Sequence, residues 1–68
     1  MILTIECEQE DDGRQIAEVL ELPGVLAYGQ TVADATAKLQ ALALRVIAEQ
    51  LEHHEVPARL LAISFAGT

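Results

Sequence analysis

The sequence of 68 residues predicts an α+β fold in which three strands, one long helix and a last strand follow one another. Two observations support this fold class. Apolar and polar residues alternate with a period of two near both ends of the chain, which is typical of half-buried strands. Between them, residues 32–52 repeat apolar side chains at helical spacing and contain neither Gly nor Pro. We expect a single domain over residues 1–68 with an antiparallel three-stranded sheet, a fourth strand that follows the helix, and the helix packed across one face.

The first strand is predicted over residues 2–9 and the second over residues 14–20, because polar and apolar side chains alternate in both. A polar turn that ends in Gly13 separates them. Cys7 falls on the apolar face of the first strand. We therefore expect Cys7 to pack as a small side chain of the core.

The alternation also selects the pairing of these two strands. A two-residue loop, Asp12-Gly13, would mix polar and apolar side chains on both faces of the hairpin. A three-residue loop over residues 11–13 pairs Ile5 with Val19, so that one face stays apolar. It also places Gly13 where such loops need a left-handed backbone. We predict the three-residue loop.

The remaining elements follow from turn and cap residues. Pro23-Gly24 predicts a sharp turn, after which a short third strand covers residues 25–28. Thr31 is the predicted cap of the helix over residues 32–52. A final alternation over residues 59–65 predicts the last strand.

The predicted helix has more apolar surface than one sheet can cover. Its main apolar arc consists of Val32, Ala35, Leu39, Leu42, Ala43 and Val46, with Ile47 at the edge. A second, weakly apolar arc consists of Ala33, Ala37, Ala41, Leu44, Ala48 and Leu51. Because so short a chain buries little of its own surface, we expect homo-oligomers, with the seam on this arc or on a sheet edge. A solvent-facing alanine surface is the alternative.

Three glutamates meet on the other face of the predicted hairpin. Glu6 lies opposite Glu18, and Glu8 is next along the same strand. Like charges directly across a ladder destabilise it. We therefore consider these three residues as a binding site for the cations of a partner protein. The alternatives are a solvated face and, further, a metal site, as in a remnant of a metal-dependent nuclease.

The composition of the chain argues against several classes of function. The net charge is −7, from four Lys and Arg against eleven Asp and Glu, which argues against direct nucleic-acid binding and favours a basic partner. The single cysteine fits the cytoplasm, and no apolar run is long enough for a membrane span. The sequence has no Gly-rich phosphate loop, no nucleophile beside a base and no metal-ligand spacing. We expect neither an enzyme nor a cofactor or metal.

A family pattern runs through most of the chain. Its pieces are Gly13, the strand Ile16-Ala17-Glu18-Val19, the turn Leu22-Pro23-Gly24-Val25, the cap Gly29-Gln30-Thr31 and the pair Asp34-Ala35. Each piece is common, but their order and spacing together are more specific. In this order the sequence resembles the HicB family of antitoxin-like domains.

The resemblance implies a reduced RNase-H-like fold and a role in protein binding. Such domains bind and neutralise HicA, a small basic ribonuclease toxin, and the acidic composition suits that partner. A solitary HicB-like oligomer with a sensing or structural role is the alternative. The sequence departs from the family at Leu20, where the family has Pro. It also ends at Thr68 without a DNA-binding segment, so we expect no operator binding by this chain alone.

Overall fold

Four strands and one helix make up the described part of the chain. The structure is a computed structural model that describes residues 1–55 and 62–67. In chain order the elements are β1 (Ile2–Gln9), β2 (Gln15–Val19), β3 (Leu26–Gly29), α1 (Val32–Glu52) and β4 (Ser64–Gly67). This is an α+β architecture with a single four-stranded sheet and one helix.

The strands lie in the order β3-β2-β1-β4. β1 pairs antiparallel with β2, and β2 pairs antiparallel with β3, but β4 runs parallel to β1. The antiparallel pairing expected for the first three strands is confirmed. The fourth strand makes the sheet mixed rather than antiparallel throughout. β3 and β4 lie at opposite edges of the sheet and run in the same direction. The chain therefore crosses the sheet between these two strands, and α1 is part of this crossing.

The hairpin register is the predicted one. Ile5 pairs with Val19 and Cys7 with Ala17, so the apolar side chains of both strands share one face. Gly13 has φ +90°, in the left-handed region that the three-residue loop requires. The alternation of side chains thus selects the pairing, because a slip of one residue would turn every apolar side chain to solvent.

The core lies between α1 and the sheet. Its buried residues are Leu3, Ile5, Ala17, Val19, Val25, Ala35, Leu39, Ala43 and Ile47. Ala17 of the sheet and Ala35 and Ala43 of the helix have no exposed surface, so small side chains let the helix approach the sheet closely. α1 packs mainly over β3 and β2 and contacts β1 little. The β1–β4 half of this face is therefore less well covered.

The bounds of β1 and α1 agree with the prediction, and those of the other three strands do not. The second strand is one residue shorter than predicted at each end. The third strand begins one residue later than expected and includes Gly29. The last strand begins at Ser64 and extends to Gly67, whereas the predicted one covered residues 59–65. Residues 59–61 of that prediction lie outside the described residues. Among the described residues, no helix combines the length and apolar character that a membrane span requires.

Two side chains assigned to the core are exposed. Cys7, expected in the core, is exposed. Val32, placed in the main apolar arc, has 51% of its surface accessible. Both lie beside the β1–β4 half of the sheet, where α1 contacts β1 little. Periodicity orients a side chain towards the helix face of the sheet, but only the position of the helix decides whether anything covers it.

Candidate interaction surface

The face of the sheet opposite α1, here called the open face, carries the predicted acidic residues. Glu6 is the direct cross-strand partner of Glu18, and Glu8 is the partner of Ile16. Glu6, Glu8 and Glu18 are exposed. The hairpin therefore brings all three predicted site residues together on one side of the sheet. Their carboxylates create a negative field on this surface.

The acidic residues surround a shallow concavity of about 470 Å³. Its lining residues are Glu6, Cys7, Glu8, Ile16 and Glu18. Ile16 provides an apolar floor beside the carboxylates. An apolar centre with charged groups around it suits a side chain that has an apolar stem and a cationic end, such as Lys or Arg.

Apolar side chains continue the open face towards β3. Leu26 pairs with Glu18 and Tyr28 with Ile16, while Leu20 follows β2 directly. Leu20, Leu26 and Tyr28 have 46%, 39% and 40% of their surface exposed. The open face thus combines an acidic half with an apolar half, as interfaces for protein partners do.

Arg14 contacts this apolar half. Its guanidinium carbon lies 4.6 Å from the centroid of the Tyr28 ring, which is a cation–π contact. The same guanidinium contacts the Asp12 carboxylate at 2.7 Å. The backbone N–H of Arg14, and then its side chain, lower the pKa of Asp12. Arg14 is thus held by contacts with Asp12 and Tyr28.

Glu21 holds the end of the hairpin, a role that the sequence analysis did not foresee. Its carboxylate accepts hydrogen bonds from the hydroxyl and from the backbone N–H of Thr4, both at 2.7 Å. The hydroxyl bond, and then the backbone bond, lower the pKa of Glu21. An isolated Glu before Pro23 carries no signal of this contact, since the contact forms between residues 17 positions apart.

The predicted seam residues lie on the outer side of α1, with one exception. Ala37, Ala41, Leu44 and Ala48 are exposed, as is Ala33 at the start of the same arc. Leu51 instead packs against the core and is partly buried. The exposed part of this surface therefore consists of small side chains and Leu44, which is 46% exposed.

A second concavity lies between α1 and the β1–β4 half of the sheet. It has a volume of about 370 Å³ and is lined by Ile5, Cys7, Val32, Thr36, Gln40, Phe65 and Gly67. The Cys7 sulfur lies 3.8 Å from the Thr36 hydroxyl oxygen. None of the lining residues is charged. We call this concavity the side groove.

The described residues do not form a metal-binding group. Across residues 1–55 and 62–67, no three His, Cys, Asp or Glu side chains lie close enough together to hold a metal ion. His53 and His54 are exposed at the end of α1, far along the chain from the glutamates of the hairpin.

Comparison of the chain with models of protein families, with curated proteins and with solved structures finds no match.

Proposed function

We propose that this chain is a non-catalytic interaction domain of the cytoplasm, similar in role to a HicB antitoxin. Its open face binds a small basic protein, of which a HicA-type ribonuclease toxin is the leading example. The proposed fold is the reduced RNase-H-like unit of that family. A chain with net charge −7 attracts such a partner over long range and disfavours nucleic acid as a direct ligand.

The observation that carries the proposal is the Glu6–Glu18 pair. Two carboxylates directly across an antiparallel ladder repel each other and weaken the hairpin. Exposed apolar side chains lie next to them on β2 and β3. Both features cost stability or solubility in the isolated chain, and both become favourable when a cationic and apolar surface covers them.

The acidic half would pair with Lys or Arg side chains that a ribonuclease uses to hold the RNA backbone. The apolar half would cover the aliphatic parts of these Lys and Arg side chains, together with apolar residues beside them on the partner's surface. Such a complex hides the RNA-binding surface of the partner. Inhibition then needs no chemistry from this chain, since it blocks the partner by occupying the surface that its substrate needs.

The test is co-expression with any small basic protein that is encoded beside this chain, followed by affinity measurement. The double variant Glu6→Lys/Glu18→Lys should bind about 10-fold to 100-fold more weakly, because each replaced attraction is worth about 1 kcal/mol or more at an interface. The neutral variant Glu6→Gln should weaken binding less. It should leave the thermal stability unchanged or higher, since it removes the repulsion from Glu18.

The matched control is Glu49→Lys/Glu52→Lys on α1. It changes the net charge by the same amount, but both residues lie on the helix, away from the open face. We expect it to lower the association rate modestly and to leave the dissociation rate unchanged. Equal loss of affinity in both double variants would refute the open face as the binding site. The absence of binding to any neighbouring basic protein would refute the toxin partner.

A further inference from the structure

The β4 strand is an open edge of the sheet. Within the described part of the chain it pairs with β1 on one side and has no neighbouring strand on the other. Its residues Ser64, Phe65, Ala66 and Gly67 include no charge and no Pro. Edge strands of monomeric proteins are usually protected by charged side chains, Pro or bulges. β4 has none of these protections.

The backbone of β4 shows which groups are available. The N–H of Ser64 donates to the carbonyl of Met1 at 2.9 Å, so the polar groups of Ser64 point towards β1. Because backbone groups alternate in direction along a strand, those of Phe65 and Gly67 point to the outer side. Two N–H and two C=O groups therefore face outward at the edge, which is enough for a short antiparallel pair.

The side groove lies directly beside this edge. Phe65 and Gly67 pair with Leu3 and Ile5 of β1, so they belong to the helix side of the sheet. Both also line the side groove, whose lining residues are all uncharged. In a chain with net charge −7, this is a surface on which two identical chains can meet without repulsion between carboxylates.

We propose that a second copy of this chain pairs with the β4 edge in antiparallel orientation, with the two-fold axis at Ala66. Phe65 then lies opposite Gly67 of the second copy, and Gly67 opposite its Phe65. Both pairs exchange two backbone hydrogen bonds, and the two Ala66 residues form the non-hydrogen-bonded pair between them. The contact is isologous, so it closes as a dimer.

Gly67 supports this register. Its φ is not in the left-handed region, and a Cβ atom added there would meet nothing within 4 Å. Neither its backbone nor its neighbours in the same chain thus require Gly at this position. In the dimer, the absent side chain leaves room for the Phe65 ring of the second copy, which covers the glycine and the mouth of the side groove.

The dimer has a consequence for the open face. An antiparallel pair of edges places both helices on one side of a continuous eight-stranded sheet, because cross-strand partners share a face. Both open faces then lie side by side on the other side and remain accessible. Self-association at β4 and partner binding at the open face are therefore compatible, and either can fail without the other.

The other edge and the helix are weaker candidates. β3 lies under α1, which packs over it more than over any other strand. The outer arc of α1 is a row of small residues with one exposed leucine, and nothing on this surface indicates what would cover it. Within residues 1–55 and 62–67, β4 combines outward backbone groups with an uncharged sequence and an adjoining groove.

The oligomeric state tests the proposal by light scattering or sedimentation at high micromolar concentration. The wild type should have twice the 7.3 kDa mass of one chain.

Two pairs of variants test the edge itself. Gly67→Pro removes an outward N–H and should give a monomer, while Gly67→Ala keeps this N–H and should remain at least partly dimeric. Ala66→Lys places two cations across the two-fold axis and should also give a monomer, whereas Ala66→Thr should not. Circular dichroism checks that each variant is folded.

A cross-link tests the register. In a Cys7→Ser background, Ala66→Cys should form a disulfide dimer, because the two Cα atoms would be about 4.5 Å apart, within disulfide range. Ser64→Cys should not, since the two positions would be more than about 13 Å apart. A monomeric wild type would overturn the proposal. So would a dimer that Leu44→Glu dissociates and Gly67→Pro and Ala66→Lys do not.

Discussion

Gly29 shows how one residue without a side chain brings the helix onto the sheet. It is buried at the end of β3, and its φ is not in the left-handed region. A Cβ atom added there would lie 2.8 Å from the Cα of Ala35 and 2.8 Å from a carboxylate oxygen of Asp34. The requirement for Gly is therefore the close approach of the first turn of α1, not a special backbone conformation.

We expect Gly29→Ala to lower the free energy of unfolding by about 1–3 kcal/mol, because the backbone of α1 would have to move away from β3. Chemical denaturation measures the effect. Gly67→Ala, compared at concentrations too low for the proposed dimer to form, is the matched control, since a Cβ atom there meets nothing within 4 Å of its own chain. Equal stability of the two variants would show that α1 does not approach Gly29 as closely as described.

Glu21 is the residue whose charge state bears most directly on the hairpin. The hydroxyl and backbone N–H of Thr4 lower the pKa of Glu21. The carboxylate of Glu21 therefore binds a proton more weakly in the folded chain than in the unfolded chain. A lowered pKa means that the stabilisation is complete above the unfolded pKa. It is lost as the pH falls through the folded pKa.

Stability should therefore decline as the pH falls below about 4, and Glu21→Gln should make that decline shallower. Asp12 and Asp34 also have lowered pKa values and should retain part of the decline. Thr4→Val, which removes one of the two donors, should lie between the wild type and Glu21→Gln. Thermal unfolding between pH 3 and pH 7 measures this; identical slopes in all three proteins would contradict the assigned role of Glu21.

α1 is held at both ends by local hydrogen bonds. At its start, the Thr31 hydroxyl oxygen accepts from the N–H of Asp34 at 3.0 Å, and the Asp34 carboxylate accepts from the N–H of Gln30 at 3.2 Å. At its end, the N–H of Glu55 donates to the carbonyl of Gln50 at 2.8 Å. His54, with φ 56°, supplies the left-handed residue of this Schellman-type ending.

His54 occupies a position that Gly prefers, because a Cβ atom disfavours the left-handed region. We expect His54→Gly to raise the free energy of unfolding by about 1 kcal/mol and the melting temperature by about 4–8 °C. His53→Gly is the control, since His53 has φ −94° and gains nothing from Gly. A lower melting temperature for His54→Gly would contradict the described ending.

Across the whole molecule, the helix is offset towards one edge of the sheet. α1 lies over β3 and β2, so the apolar side of β1 and β4 is left with the side groove, while the open face carries the glutamates. This division creates two surfaces of different chemistry. The side groove and β4 edge are uncharged and suit a second copy, and the open face is acidic and suits a basic partner.

The candidate surface was predictable only in part. The cross-strand pairing of Glu6 with Glu18 follows from the register of the hairpin. The alternation of polar and apolar side chains specifies this register, since the two strands are close along the chain. The apolar half of the open face depends on how β3 pairs with β2, which places Leu26 beside Glu18. The contact of Glu21 with Thr4 has no counterpart in any local pattern, because it joins separate turns of the chain.

The sequence by itself determined the hairpin, its register and the helix from Val32 to Glu52, because turns, caps and periodicity act between residues that are close along the chain. Tertiary structure alone decided that β4 runs parallel beside β1 and that Cys7 and Val32 are exposed. Those outcomes depend on where α1 lies across the sheet. Packing between distant segments sets that position, and no local pattern records it.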